Sequence, residues 1–283
     1  MSNVEAEQGD TMADLFRYDG KRTLVVGCSS GMGAATVRIV QRLGGEVHGV
    51  DYKKPDADLA SFTSCDLRNP GEIDAWLASL EGPFHAVFYC AGLPMTHPAL
   101  DVMKVNFAAM RAVVDGVGPL VPGGGAIAVI SSVAGLQFQR NLTPINELLE
   151  TGGFGGAMSW CESHLDTVGD GYTFSKEAII VYTMTRALHF VDAGVRLNCL
   201  SPGQTVTPMM PDFEKVAGVD FMRAFEGPMH RKARPEEMGW PLAFLNSDAA
   251  SYITGLNLVV DGGFGPGVLT GAIDVHALLA ARK

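Results

Sequence analysis

The sequence predicts an α/β protein: a single domain on a doubly wound parallel sheet, with helices on both faces. Three observations predict it. Short runs rich in β-branched and aromatic residues alternate with helix-length amphipathic segments along the body of the chain. A glycine-rich turn stands between the first of those strands and the first helix. The alternation continues as one series, and 283 residues suffice for one large buried core.

Residues 1–20 read as a polar tail, 21–265 as the domain and 266–283 as a C-terminal segment. The first strand is Thr23–Gly27, continuous rather than alternating in apolar character and therefore buried on both faces. A helix over Met32–Leu43 stops at Gly44-Gly45, and a second strand, Glu46–Val50, ends on Asp51. Strands follow at Ser61–Ser64, Ala86–Cys90, Ala126–Ser131, Arg196–Leu200 and Asn257–Val260. Helices are expected over Glu72–Leu80, Pro98–Val117, Tyr172–Val191 and Pro235–Leu245.

Two stretches interrupt the repeat. Residues 136–171 form an insertion too long for a structureless loop, so it is read as partly helical, over Pro144–Glu150 and Met158–Val168. Residues 205–234 are rich in Met, Phe and Pro from Met209 onward and are read as a substrate lid with an apolar inner face. With Leu136, Phe138 and Phe154 of the insertion, this lid suggests a hydrophobic substrate.

Composition narrows the function. A net charge of −10 leaves no basic excess to neutralise phosphates, which argues against a nucleic-acid partner. No run of about 18 apolar residues is present to span a membrane. The N-terminus, MSNVEAEQGD, lacks the apolar run of a signal peptide, so a cytoplasmic location is expected. The five cysteines are scattered without a C-x-x-C, and the seven histidines show no paired spacing; no disulfide framework and no metal are expected. The sequon at Asn141-Leu142-Thr143 is read as accidental.

The first chemical motif is Gly27-Cys28-Ser29-Ser30-Gly31-Met32-Gly33, after a strand and before a helix. Glycine there lets the backbone approach a pyrophosphate whose charge sits at the helix N-terminus. Asp51, 18 residues beyond Gly33, is placed to accept hydrogen bonds from ribose hydroxyls and to repel a 2′-phosphate. This favours NAD, although Lys53 and Lys54 lie near. In Tyr172-Thr173-Phe174-Ser175-Lys176 the phenol and ammonium share one helix face. A cation there should lower the tyrosine pKa from its usual value near 10 and make it a usable acid/base.

Together these motifs resemble the short-chain dehydrogenase/reductase family, whose fold is the Rossmann type, from Lys21 to Gly263. The family's T-G-x-x-x-G-x-G is matched at 26–33 except for Val26; its N-N-A-G is kept only as Ala91-Gly92 of Tyr89-Cys90-Ala91-Gly92. Val105-Asn106, Ser131-Ser132, Pro202 to Met209 and Asp261-Gly262-Gly263 match its later motifs. The resemblance implies Tyr172 as general acid/base, Lys176 tuning it and holding the nicotinamide ribose, and Ser132 orienting the substrate oxygen. It implies Asn106 anchoring a water relay. Cofactor contacts are expected from Gly27, Ser29, Ser30, Gly31, Met32, Gly33, Asp51, Asp66, Leu67, Cys90, Ala91, Gly92, Pro202, Gly203, Thr205, Val206 and Thr207 as well as Tyr172 and Lys176. The 40-residue gap from Ser132 to Tyr172 resembles the 3-alpha-hydroxysteroid dehydrogenase/carbonyl reductase group and coniferyl-alcohol-type dehydrogenases. An NAD(H)-dependent interconversion of a hydrophobic alcohol and its ketone, by a homo-oligomer, is expected. The alternatives are an epimerase or dehydratase of the same superfamily, and a non-catalytic redox sensor.

Overall fold

The computed structural model describes residues 15–223, 225–274 and 277. Among them seven strands form one parallel sheet in the order β3-β2-β1-β4-β5-β6-β7. They are β1 (Arg22–Val26), β2 (Glu46–Asp51), β3 (Ser61–Ser64), β4 (Ala86–Tyr89), β5 (Ala126–Ile130), β6 (Arg196–Pro202) and β7 (Asn257–Val260). Each predicted strand is present with ends within two residues of expectation. The strand order reverses between β1 and β4, which opens a crevice beyond their C-terminal ends.

The helices are α1 (Gly31–Arg42), α2 (Pro70–Ala78), α3 (Ala99–Met103), α4 (Met110–Val117), α5 (Leu142–Glu150) and α6 (Gly153–Ser163). They continue as α7 (Leu165–Val168), α8 (Tyr172–Phe190), α9 (Met210–Ala217), α10 (Val219–Arg223), α11 (Glu236–Asn246) and α12 (Phe264–Leu269). Helices α1 and α11 pack on each other and on one sheet face, over Val25, Val37, Val47, Phe88, Ile130 and Leu242. The opposite face is covered by α4 and α8, over Val26, Phe107, Val114, Ile127, Ile180 and Leu197. Strands β4 and β5 are apolar throughout because both faces are covered, and each is buried along its whole length.

Three expectations need correction. The tail does not extend to residue 20: Tyr18 is fully buried, its hydroxyl donating to the Ala243 carbonyl at 2.6 Å and its N–H to Leu43 at 2.8 Å. The domain therefore takes in its last few tail residues; residues 1–14 lie outside the description, as do 275, 276 and 278–283. The helix expected over Pro98–Val117 is not uniform, because a π-helical segment, Lys104–Ala109, separates α3 from α4. The insertion holds three helices rather than two. Helix α6 starts at Gly153, earlier than its glycines suggest, because burial of Ala157, Met158 and Cys161 outweighs the low helix propensity of glycine.

Arg111 fixes that insertion from below. It is buried in α4, donates to the Leu148 carbonyl at 3.2 Å and the Thr151 hydroxyl at 3.3 Å, and reaches the Gly153 carbonyl. The guanidinium thus shares the Leu148 carbonyl near the end of α5 with the Thr151 N–H and hydroxyl, and ties the end of α5 to the start of α6. Leu136, Phe138 and Phe154 of the insertion are each half-buried and pack against the core.

Candidate active site

The site lies where the C-terminal ends of six strands converge. After β1 the chain turns through Gly27 at φ +84° and enters α1 at Gly31. A Cβ on Gly33 would stand 1.9 Å from the Gly27 carbonyl oxygen, and one on Gly27 would meet the Ala91 nitrogen at 2.4 Å. Only glycine permits this approach of helix, turn and β4. Ser30, the first flanking residue of α1, makes no side-chain capping bond, and the first turn carries no acidic residue. The positive end of the helix is thus left for an anion.

Asp51 ends β2 buried beside this turn. It accepts from the Ser29 N–H at 3.0 Å and the Lys53 N–H at 3.2 Å. The carboxylate is fixed toward the glycine turn. Asp66, after β3, is gripped by Arg68 through both oxygens, at 2.9 and 2.7 Å, which holds its carboxyl below the usual range. Leu67 beside it is buried in the core. Across the crevice Pro202 ends β6, and Gly203 packs so closely that a Cβ would lie 2.8 Å from Asp261 Cα. Thr205 is buried, Val206 is exposed, and the Thr207 side chain stands over Gly31. Met32 is half-buried beside that turn, and Cys90 is half-buried with its thiol pushed up to about 12 by burial.

The polar groups read as catalytic come together at the far end. Gly171, at φ +78°, starts α8 against α3, where a Cβ would lie 2.4 Å from the Ala99 carbonyl oxygen. That contact places Tyr172, the first residue of α8, inside the cleft at 8% exposure. Lys176 lies one turn on, its Nζ 5.7 Å from the phenol ring centre and donating to the Ile130 carbonyl at 3.1 Å. Ser131 anchors α8 by donating to the Lys176 carbonyl at 2.7 Å. Ser132 is buried at the end of β5; it accepts from the Ala134 N–H at 3.1 Å and hydrogen-bonds the Tyr172 hydroxyl.

The electrostatics differ from the sequence expectation. Burial dominates both partners: it pushes the Tyr172 phenol up to about 12, against the Ser132 hydrogen bond that lowers it, and pulls Lys176 down to about 8. The phenol stays above its usual value because burial outweighs the Ser132 hydrogen bond that lowers it. Asn106 sits in the π-helical segment. Its amide donates to the Leu93 carbonyl at 3.1 Å and the Ser175 hydroxyl at 3.2 Å and accepts from the Leu93 N–H at 2.7 Å. These bonds brace the β4–α3 loop against α8. The π turn is what brings Asn106 to this position; its companion Val105 offers its carbonyl to the Tyr89 hydroxyl at 2.6 Å.

Sequence reasoning missed several neighbours of the site. Phe213 of α9 packs edge-on against Tyr172, ring centres 5.1 Å apart at 69°. The preceding Asp212 accepts from the Thr96 hydroxyl at 3.1 Å across the cleft. Glu177, next to Lys176, is buried and accepts from the Asn141 amide of the insertion at 2.7 Å; burial raises its carboxyl. Trp160 of α6 stacks on Phe174 of α8 at 5.7 Å. The only signal in sequence was the Met-, Phe- and Pro-rich composition of the lid. Among the described residues no group of three or more His, Cys, Asp or Glu could hold a metal ion, and no helix is long and apolar enough to cross a membrane.

Comparison with known proteins agrees with this arrangement. Residues 157–265 match a family described as Enoyl-(Acyl carrier protein) reductase, adh_short_C2. A coniferyl-alcohol dehydrogenase of Pseudomonas sp. is 31% identical over 88% of this chain and 98% of its own. A 3-alpha-hydroxysteroid dehydrogenase/carbonyl reductase of Comamonas testosteroni is 33% identical over 85% of this chain and 95% of its own. Among solved structures, a 3-alpha-hydroxysteroid dehydrogenase from Pseudomonas sp. B-0831 complexed with NADH has a TM-score of 0.76 at 27% identity. The match covers 90% of this chain and 100% of that one. End-to-end similarity of this extent, on the same seven-stranded sheet, establishes the chain as a member of the short-chain dehydrogenase/reductase family, an oxidoreductase family.

Proposed function

We propose that the protein interconverts a secondary, aryl or allylic alcohol on a hydrophobic substrate and the corresponding carbonyl compound, using NAD(H). The observation that carries this reading is the convergence of the Ser132 hydroxyl, the Tyr172 phenol and the Lys176 ammonium in one buried cleft beside an uncapped helix N-terminus. A nicotinamide dinucleotide, when bound, supplies the acceptor or donor of a hydride at the substrate carbon. Its residues of contact would be the glycine turn at 27–33, Asp51, Asp66 and Leu67, Cys90 to Gly92 and the 202–207 segment.

The remaining chemistry belongs to this chain. Tyr172 Oη takes the hydroxyl proton during oxidation and returns it during reduction. Ser132 holds the same substrate oxygen and keeps it in line with the phenol. Lys176, with a pKa lowered to about 8, keeps most of its charge at neutral pH, and that charge offsets the cost of a buried phenolate as the proton leaves. Asp51 favours NAD because a 2′-phosphate would meet a fixed carboxylate. Support for an apolar substrate comes from the lid and from relatives named for coniferyl alcohol and a hydroxysteroid.

The test is NADH absorbance on mixing with a panel of aryl, alicyclic and steroid alcohols and ketones. Tyr172→Phe is expected to lower kcat by about 10²–10⁴-fold while NADH still binds; unchanged turnover in that variant would sink the assignment. Asp51→Ala is expected to raise NADP affinity relative to NAD. Tighter binding of NADP than NAD by the unaltered protein would overturn the cofactor choice.

A further inference from the structure

We propose that Phe213 is the specificity-determining residue of the cleft: its ring selects substrates that present a planar ring next to the reacting carbon. This rests on the alcohol–carbonyl reading above and names its substrate class. Phe213 is the lid side chain in ring contact with Tyr172, edge-to-face at 5.1 Å and 69°. Phe213 therefore borders the phenol to which the substrate oxygen would bind, on the lid side of the cleft. Ring pairs at this separation favour offset or edge-to-face geometry and gain beyond their buried area.

The position of Phe213 is built in. The lid's stem is closed by backbone bonds, Val206 N–H to the Ala233 carbonyl and Ala233 N–H to the Gln204 carbonyl, each at 2.8 Å. The Gln204 amide donates to the Met222 carbonyl, and Lys232 pairs with Glu214, joining the two arms of the lid. At the tip, Asp212, one residue from Phe213, accepts from Thr96 at 3.1 Å on the opposite wall. Stem, arms and tip therefore all fix α9 so that residue 213 faces the phenol. Met209, at the start of the same helix, reaches Gly92, so a flexible apolar side chain fills the space beside the aromatic wall. Flexible thioethers adapt to varied outlines, whereas a phenyl ring imposes a face.

The experiment compares two substrates of equal carbon count, 1-phenylethanol and 2-octanol, so that apolar bulk is held constant and only the ring differs. The ratio of their kcat/KM values is expected to fall about three- to tenfold in Phe213→Leu and to be kept in Phe213→Tyr. An unchanged ratio in Phe213→Leu, or equal losses in both variants, would overturn the proposal. A parallel measurement needs no turnover: calorimetric binding of acetophenone against 2-octanone to the NADH-loaded protein. There the same loss in Phe213→Leu and retention in Phe213→Tyr is expected. Absence of acetophenone binding to the unaltered protein would also overturn it. Phe213-dependent acetophenone binding in a protein that turns over no alcohol would instead sink the function proposed above and leave this residue's role standing.

Discussion

The two halves of the cleft are made of different material. The half around β1, β2 and β4 is backbone: a glycine turn, a helix end and one carboxylate held by two N–H groups. The half under the 205–234 segment, the proposed lid, is side chains drawn from distant segments: Thr96 against Asp212, Tyr172 against Phe213, Asn141 against Glu177. Backbone geometry leaves a mark in sequence, because only glycine tolerates the required approach. Contacts between distant side chains leave none, since each residue type taken alone is ordinary.

The comparison breaks most visibly at Gly33. A single methyl there would lie 1.9 Å from the Gly27 carbonyl oxygen and 3.1 Å from Cys90 Cβ. The Gly27 N–H is tied to Val50 at 2.8 Å, so the turn has little room to yield. Gly33→Ala is expected to cost about 1–3 kcal/mol of stability through overpacking and to weaken NADH binding more than tenfold. Urea unfolding and NADH titration measure both; a variant that keeps NADH affinity would show that the backbone half is more forgiving than its contacts imply.

This division explains what was legible in the chain. The central strands β4 and β5 were readable because both sheet faces are covered there, so each is a short continuous apolar run. Tyr172 and Lys176 were readable by spacing, but the direction of the phenol's shift was not: it depends on burial, which is a tertiary fact. The π-helical turn at Lys104–Ala109 was invisible, because its residues fit an ordinary helix pattern equally well. Tyr18 was lost in a polar tail because one buried aromatic gives no periodicity. Phe138 and Phe154 illustrate the converse: an apolar insertion residue can pack against the core as well as line a cleft, and sequence alone does not separate the two.

Lys176 sits at the join of the two halves and sharpens the contrast between stability and chemistry. It is buried, and among the described residues no carboxylate pairs with it. Burial lowers its pKa from 10.5 to about 8. Between those values the unfolded chain holds a proton that the folded chain has released, so this group makes stability rise with pH across that window. Below about pH 8 the buried charge costs the folded state its full share. Lys176→Met is therefore expected to be more stable at pH 7, by on the order of 1–3 kcal/mol, with the gain fading toward pH 10.5. Urea unfolding at pH 7 and pH 10 reads the difference. A loss of stability at pH 7 would mean that the bond to Ile130 outweighs desolvation. Activity is expected to fall in either case, as when a strained site trades stability for function.

The smallest effect belongs to the lid latch, and it separates lid position from lid chemistry. The Thr96–Asp212 bond is exposed and joins two neutral-to-charged partners across the cleft mouth. Solvent exposure holds such a bond to about 1 kcal/mol, and Thr96→Val keeps the methyl volume and forfeits only the tip contact. The stem bonds at Val206 and Ala233 persist in that variant, as does the Lys232–Glu214 pair, so α9 stays attached while its tip samples open positions more often. The expected outcome is a rise in KM of about two- to tenfold with kcat unchanged and a fall of a few degrees at most in Tm. A fall in kcat with KM constant would instead place the latch in alignment of the reacting groups, and the substrate half would then share the rigidity of the backbone half.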